Sequence, residues 1–297
     1  MCVVSIKSQN QNDQSVPLHS PRLSLQSSSV NGYVCVTDER ILKGRKTPED
    51  VLVICNPSTG QSVTLPKIPK LKKMKRTAKS FFVYDPIEKQ HKVLAMAMVD
   101  GRDVHQVLTL KGTRNLTWRM IECSVPHYYP GPKCICIDGV LYYGAWGSNN
   151  GHILVCFDVR SEKYSSIKAI QRAVEEGKLA SLRAQPNPHA ISGTSTSFEM
   201  WILEDPEKHE WSSRIYKLPP VWKDVVAWEV LFFKGVTATN EIVLSPKTSS
   251  DLYDFYYYNF DKESITRVEF QGMRPFRKGW GSGVFTLLNH VEDVKLI

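Results

Sequence analysis

The sequence consists mainly of short apolar runs separated by turn-forming residues. One unit shows the pattern clearly, because the run at 51–55, VLVIC, is followed by the letters NPSTG and by a second short run at 62–65. Asn folds its side chain onto the backbone, Pro presets a turn dihedral and Gly accepts a left-handed conformation, so this unit predicts a β-hairpin. An unbroken apolar run of this length predicts a strand that is buried on both faces.

The same pattern recurs along the chain. Further hairpins are predicted for 81–84 with 92–98, 107–110 with 116–121, 134–137 with 140–143, 153–157 with 164–167, 200–203 with 214–218, 225–233 with 241–244, and 255–258 with 265–270. Single strands are predicted at 32–36, 178–182 and 284–288, and a brief helix over Ile167, Ile170 and Val174. The expected turn residues are Asn56, Asp85, Asp158, Asp205 and Asp261. The strands that carry Val53, Val83, Val155 and Tyr257 are expected to be inner or middle strands, buried on both faces.

This succession of hairpins predicts an all-β protein. Two hairpins make a four-stranded antiparallel sheet, and such sheets stacked around a ring bury both faces of their inner strands. We therefore expect an irregular β-propeller of about six blades, each a four-stranded antiparallel sheet. Residues 1–28 are rich in Ser, Gln, Asn and Pro and are predicted to be a flexible tail, which leaves 29–297 for the propeller.

Composition and charge bear on the kind of partner that the protein binds. The chain has 297 residues, 42% of them hydrophobic, and a formal net charge of +8. Most of the net positive charge comes from the Lys-rich segment 67–79, since the remainder of the chain is nearly balanced. We interpret this segment as a solvated loop between strands; a nuclear-localisation or phosphate-binding patch is the alternative. Nucleic acid is not expected as a partner, and its binding would weaken steeply with salt.

The cysteines indicate a reducing compartment. There are seven, an odd number, and most lie in apolar strand patterns, which favours free buried thiols and an intracellular protein, cytoplasmic or nuclear. The apolar patch at the N-terminus is too short for a signal peptide, and no apolar run is long enough to span a bilayer, so no membrane association is expected.

No pattern of catalytic, metal-binding or cofactor-binding residues is predicted. Cys134 and Cys136 could supply half of a zinc site, but no nearby second pair completes it, so core thiols are the better interpretation. The segment 279–283, GWGSG, lacks the glycine two residues before the serine that a nucleophile elbow requires. No phosphate-cradling or dinucleotide motif occurs.

The tryptophans are the candidate partner-binding residues. Trp146, Trp222 and Trp280 lie among Gly, Asn, Pro or Lys residues and are expected in loops, where Trp often dominates an interface. Packing at the edge of a blade is the alternative for these three. Trp118, Trp201 and Trp228, in contrast, fall within strand patterns.

Several segments, taken in order, resemble the plant F-box-associated domain of type 3, a kelch-related propeller. They are the letters NPSTG ending at 60, FFVYDP at 81–86, TWRMI at 117–121, IDGVLYY at 137–143, CFDVRSEK at 156–163, WILED at 201–205 and HVEDVKL at 290–296. The resemblance covers about residues 26–297. In proteins of this family an F-box docks on the adaptor subunit of an SCF ubiquitin ligase. The resemblance therefore implies that the propeller recruits the protein substrate.

The resemblance does not extend to the F-box itself. Residues 1–31 contain no Leu-Pro-x-Asp opening and no amphipathic helices, so we expect the chain to lack an F-box and to bind the SCF adaptor only if one is present. The predicted function is a non-enzymatic protein-interaction module. The alternatives are a propeller enzyme or glycan-binding lectin, with acids, His or metal ligands gathered in the central channel, and a truncated, non-functional relative.

Overall fold

The computed structural model describes residues 2–4, 24–25, 29–40, 46, 49–69, 79–99, 102–110, 116–128, 130–131, 134–149, 151–168, 180–185, 190–237, 239–246, 253–270 and 285–287. These residues form antiparallel strands and one short α-helix. The first strands are β1 Cys2–Val4, β2 Ser24–Leu25, β3 Val34–Arg40, β4 Glu49–Cys55, β5 Ser62–Thr64, β6 Lys79–Asp85, β7 Gln90–Val99, β8 Arg102–Leu110 and β9 Trp118–Ile121. The middle strands are β10 His127–Tyr128, β11 Cys134–Ile137, β12 Val140–Gly147, β13 His152–Asp158, β14 Tyr164–Lys168, β15 Ala180–Gln185 and β16 Ile191–Ser192. The remaining elements are β17 Ser197–Asp205, β18 Glu210–Lys217, α1 Trp222–Val226, β19 Val230–Val236, β20 Glu241–Pro246, β21 Tyr253–Asn259, β22 Ser264–Phe270 and β23 Phe285–Leu287.

Within the described ranges these strands make six antiparallel sheets, most of them built from consecutive strands. Sheet 1 holds β2–β5, sheet 2 holds β6–β9, sheet 3 holds β10–β14, and sheet 4 holds β15, β17 and β18. Sheet 5 runs in the order β16, β19, β20, β21, β22, and sheet 6 pairs β1 with β23. The architecture is the irregular β-propeller predicted from the sequence, with two to five strands in a sheet rather than a uniform four.

Five of the hairpin turns share one local geometry. The residue that begins each turn accepts backbone N–H bonds from the residues two or three positions later, and the residue four positions later has a positive φ. The accepting residues are Asn56, Asp85, Asp158, Asp205 and Asn259, and the positive-φ residues are Gly60, Lys89, Glu162, His209 and Glu263. The last turn is thus capped by Asn259, whereas the sequence had indicated Asp261, which instead donates its own N–H to Asn259.

From sheet 1 to sheet 5, each two successive sheets enclose a separate layer of core residues. Side chains alternate between the two faces of a strand, so Phe81 and Val83 of β6 pack towards sheet 3 while Phe82 packs towards sheet 1. In β13, Val155 faces sheet 2 and Leu154 faces sheet 4. Burial on both sides explains why these strands are unbroken apolar runs in the sequence.

The four residues predicted to lie on buried strands fall where expected, with one difference. Val53, Val83 and Val155 are buried. Tyr257 is half-buried because side chains alternate along β21, so that it points to the face opposite to the fully buried Tyr256 and Tyr258. Val83 lies on β6, an end strand of sheet 2, and is nevertheless buried because sheets 1 and 3 cover its two faces.

Two predictions need correction. The segment 225–233 is not one strand, because α1 occupies its beginning and β19 starts only at Val230. Ile167, predicted as helical, lies in β14, while Ile170 and Val174 lie outside the described residues. Two short strands of the segment 1–28, β1 and β2, pair with β23 and β3. The rest of that segment lies outside the described residues, so the flexible tail stays a prediction there.

Candidate partner-binding surface

The most exposed large apolar side chain among the described residues is Trp228. It is 89% exposed, and Val221 and Val230, which lie close to it in sequence, are about half exposed. A tryptophan so open to water has no packing role in the folded chain. We name the segment that contains these three residues, 221–230, the Trp228 corner.

The corner begins with α1, whose formation the sequence explains. Two prolines precede the helix, and Trp222, Val225 and Val226 follow at the spacing of one helical face. Trp222 and Val226 lie on that face and are buried. The indole N–H of Trp222 donates to the Ser192 carbonyl at 2.7 Å. Trp222 therefore fixes the helix to the turn between β16 and β17.

The chain reverses direction at Ala227. This residue has a φ of 52°, and its N–H donates to the Lys223 carbonyl at 2.9 Å. Gly193 lies directly beside it, since a Cβ added to Gly193 would be only 1.8 Å from the Ala227 oxygen. Only glycine permits so close an approach of two backbones. The close contact with the Gly193 backbone thus fixes the turn that exposes Trp228.

Glu229, the residue after Trp228, is fixed by a hydrogen bond to Tyr256. The carboxylate of Glu229 accepts a hydrogen bond of 3.2 Å from the Tyr256 hydroxyl, and the guanidinium of Arg267 lies 5.8 Å from the centre of the Tyr256 ring. Burial and the nearby Glu229 charge raise the pKa of Tyr256 to about 12, so its hydroxyl remains a donor at neutral pH. Two residues further on, Leu231 is fully buried.

This arrangement combines an exposed aromatic side chain with an anchored backbone. A partner that covers Trp228 gains a large apolar contact, and little loop entropy is lost because the corner is already ordered. The arrangement suits recognition of another macromolecule rather than bond-making chemistry.

The structure places Trp222 and Trp228 differently from the prediction. Trp222, expected in a loop and named as partner-binding, is 1% exposed and lies in the core, where a partner cannot reach it. Trp228, expected in a strand, is the exposed one. The three-and-four spacing from Trp222 to Val225 and Val226 is the signal that could have revealed the helix.

The other tryptophans are placed as follows. Trp146 lies in strand β12 rather than in a loop, is 37% exposed, and packs against His152 with ring centres 4.1 Å apart. Trp280 lies outside the described residues. Trp118 and Trp201 lie in strands β9 and β17, as predicted.

A buried polar cluster lies between sheets 2 and 3. Tyr164 forms a 2.8 Å hydrogen bond with Nδ1 of His105, and the Tyr143 hydroxyl lies 2.8 Å from Nε2 of His127. Since Nδ1 of His127 is 2.7 Å from the Val125 carbonyl, which only accepts, His127 carries its proton there and Nε2 accepts from Tyr143.

The surroundings of this cluster keep its members neutral. Burial, with a smaller effect of His127, lowers the pKa of His105 to about 4, and burial also lowers the pKa of His127. Burial raises the pKa of Tyr143 and of Tyr164. The geometry is that of a hydrogen-bonded link between two sheets, enclosed among apolar side chains.

The cysteines show a similar effect of burial. Burial raises the pKa of the Cys35 and Cys55 thiols to about 12, and that of Cys136 is raised as well. Such thiols are poor nucleophiles and poor metal ligands. Within the described parts of the chain, no three His, Cys, Asp or Glu side chains come together as a metal site, and Cys134 is a core residue.

Only the ends of the Lys-rich segment are described. Lys67 forms an ion pair with Glu49, and Lys79 lies in β6 with its ammonium 5.2 Å from the centre of the Phe81 ring. Burial lowers the pKa of Lys79. Residues 70–78 lie outside the described part, so the role of the segment stays a prediction.

Together, the sheets and the exposed corner define a β-propeller with a surface suited to protein contact. The family model of the F-box associated beta propeller domain matches residues 1–291. The chain belongs to this family. The match also includes residues 1–28, which the sequence had suggested as a tail.

Curated relatives agree with this assignment. F-box protein DOR of Arabidopsis thaliana is 52% identical over 277 residues, which cover 91% of this chain and 69% of that protein. A putative F-box protein of the same plant is 42% identical, with 97% of this chain and 75% of that protein covered. A third Arabidopsis F-box protein is 44% identical, with 91% of this chain and 67% of that protein covered.

As for membranes, α1 is the only helix in the described ranges, and its five residues are far too few to cross a bilayer.

Proposed function

We propose that this chain is the partner-recognition module of an F-box protein and that the Trp228 corner is part of the surface that binds the partner. The partner is another protein, and the module itself is not an enzyme. Within an SCF ubiquitin ligase the bound protein is the substrate, and attachment to the SCF adaptor depends on an F-box segment. The module acts inside the cell, in the cytoplasm or the nucleus.

One observation carries the proposal. Trp228 is almost fully exposed although the residues on both sides of it are anchored in the core by Trp222, Val226 and Leu231. Exposing an indole to water costs solvation free energy, while a fixed backbone limits what a partner must order on binding. Trp is also among the residues most enriched at the energetic centres of protein interfaces.

The test compares two exposed apolar residues. Trp228→Ser removes the indole from the corner, and Ile87→Ser is the matched control, because Ile87 is 66% exposed in the turn between β6 and β7. Wild-type and variant chains are used to capture proteins from a plant cell extract, and the captured proteins are quantified by mass spectrometry. We expect one set of proteins to be lost with Trp228→Ser and retained with Ile87→Ser.

The result is interpretable only if both variants fold. Circular dichroism and urea midpoints close to wild type establish this, since neither side chain contributes to the core. Capture of the same proteins in equal amounts by wild type and both variants would show that the Trp228 corner is not part of the binding surface. An equal loss of the same proteins with both variants would show that exposed apolar residues act without specificity.

A further inference from the structure

The outer strand of sheet 4 is open along its length. β18 pairs with β17 on one side, and within the described residues no strand pairs with its other side. Glu210, Ser212, Ser213, Arg214, Ile215 and Lys217 of this strand are exposed. An edge strand presents unpaired backbone N–H and C=O groups, which are a template for a further strand.

β18 differs from the outer strands of the other sheets. It has eight residues, whereas β5 has three, β9 four and β14 five. Proteins commonly protect long edges with proline, bulges or charge. β18 contains no proline; it carries the charged residues Glu210, Arg214 and Lys217, and next to Arg214 it carries Ile215, which is 67% exposed. β22 has seven residues, but α1 lies against it.

A cleft lies beside this edge. It has a volume of about 410 Å³ and is formed where sheet 4 separates from the turns of sheet 5. Its apolar walls are Met200 and Ile202 of β17, Tyr216 of β18, and Phe260 after β21. The volume lies within the range of about 300–1,000 Å³ that is found for ligand clefts.

Arg214 supplies the positive charge of the cleft, and Glu204 supplies a negative one. It stands opposite Met200 in the β17–β18 register and points to the same face as Ser212 and Tyr216. Glu204, the carboxylate of the cleft, accepts a 2.6 Å hydrogen bond from Ser212. Arg214 has no hydrogen bond or ion pair in the described part of the chain, so its guanidinium is available to a carboxylate.

We infer that β18 binds an extended segment of a partner polypeptide as an additional antiparallel strand, with an acidic side chain of that segment on Arg214. Residues directly opposite each other in a sheet share a face, and opposite charges and apolar pairs stabilise such positions. The segment therefore places an aromatic residue opposite Tyr216, a β-branched apolar residue opposite Ile215 and an acidic residue opposite Arg214. This surface is separate in sequence from the Trp228 corner and does not depend on it.

The probe is a fluorescein-labelled peptide, Lys-Thr-Phe-Val-Glu-Thr-Val-Lys, whose affinity for the whole chain is measured by fluorescence anisotropy. Arg214→Glu should weaken binding at least about tenfold, and a peptide with Lys in place of its Glu should recover that loss. Arg160→Glu is the matched control, because Arg160 is an exposed arginine in the turn after β13 and its reversal should leave affinity unchanged.

Backbone methylation distinguishes strand addition from simple contact of side chains. Alternate residues of an antiparallel strand direct their N–H groups to the neighbouring strand. Two methylated probes are therefore compared. One is N-methylated at Phe and Glu, and the other at the Val and Thr on either side of Glu. One of the two peptides should lose binding, and the other should retain it. Hydrogen exchange of β18 amides should slow on binding, and exchange of β22 amides should not.

Three results would overturn the inference. They are no binding of the probe at about 1 mM, equal affinity for wild-type and Arg214→Glu chains, or equal effects of the two methylation patterns. Trp228→Ser should bind the probe as wild type does, so failure of this inference and failure of the proposed function are distinguishable.

Discussion

The buried position of Trp222 predicts a large loss of stability when its side chain is removed. A tryptophan buries about 150–250 Å² of surface, which at about 25 cal/mol per Å² corresponds to roughly 4–6 kcal/mol. Core Trp→Ala changes cost about 3–5 kcal/mol in practice, since the neighbours relax in part. Trp222→Ala also removes the indole N–H that the Ser192 carbonyl accepts. We expect a loss of about 4 kcal/mol in the free energy of unfolding.

Two further variants separate the contributions. Trp222→Phe retains most of the ring volume but loses the N–H, so a smaller loss of about 1–2 kcal/mol is expected. Trp228→Ala should change stability by less than about 0.5 kcal/mol, because its side chain is exposed. Urea unfolding followed by far-ultraviolet circular dichroism measures all three. A stability loss for Trp228→Ala equal to that for Trp222→Ala would refute the assignment of core and surface roles.

Three other predictions follow from buried groups. Gly193→Ala should lower the urea midpoint, since the new Cβ overlaps the Ala227 oxygen, and a midpoint equal to wild type would contradict the close approach. Because burial depresses the pKa of His105 to about 4, the unfolded chain takes up a proton below pH 6.5 before the folded chain does. Stability should therefore fall as the pH drops from about 6.5 to 4, and less so in His105→Gln; equal pH slopes would argue against a neutral His105. Val53→Asp should cost several kcal/mol because it buries an unpaired charge in sheet 1, and retention of the wild-type midpoint would show that β4 is not enclosed.

The elements that the sequence predicted correctly are those set by local chemistry. An Asn or Asp that caps its own turn, with a left-handed residue four positions later, defines a hairpin without reference to the rest of the chain. Unbroken apolar runs such as that of β13 indicated strands covered on both faces. These two signals were sufficient for the hairpins and for the irregular propeller.

The features that were missed depend on distant partners. β16 lies between β15 and β17 in sequence but pairs with β19 of the next sheet, and β1 pairs with β23 at the other end of the chain. The turn that exposes Trp228 brings Ala227 against Gly193, which lies 34 residues before Ala227 in the numbering of the chain and has an ordinary φ. No local pattern records such an approach.

The central claim is that a partner protein contacts the Trp228 corner, and site-specific photocrosslinking tests it most directly. A benzophenone amino acid is placed at position 228 in one chain and at position 87 in another, since both sites are exposed and neither is needed for folding. Irradiation in plant cell extract should yield a discrete adduct from position 228 that is absent from position 87, and the adduct should diminish when unlabelled wild-type chain competes. No adduct from position 228, or the same adducts from both positions, would contradict the claim.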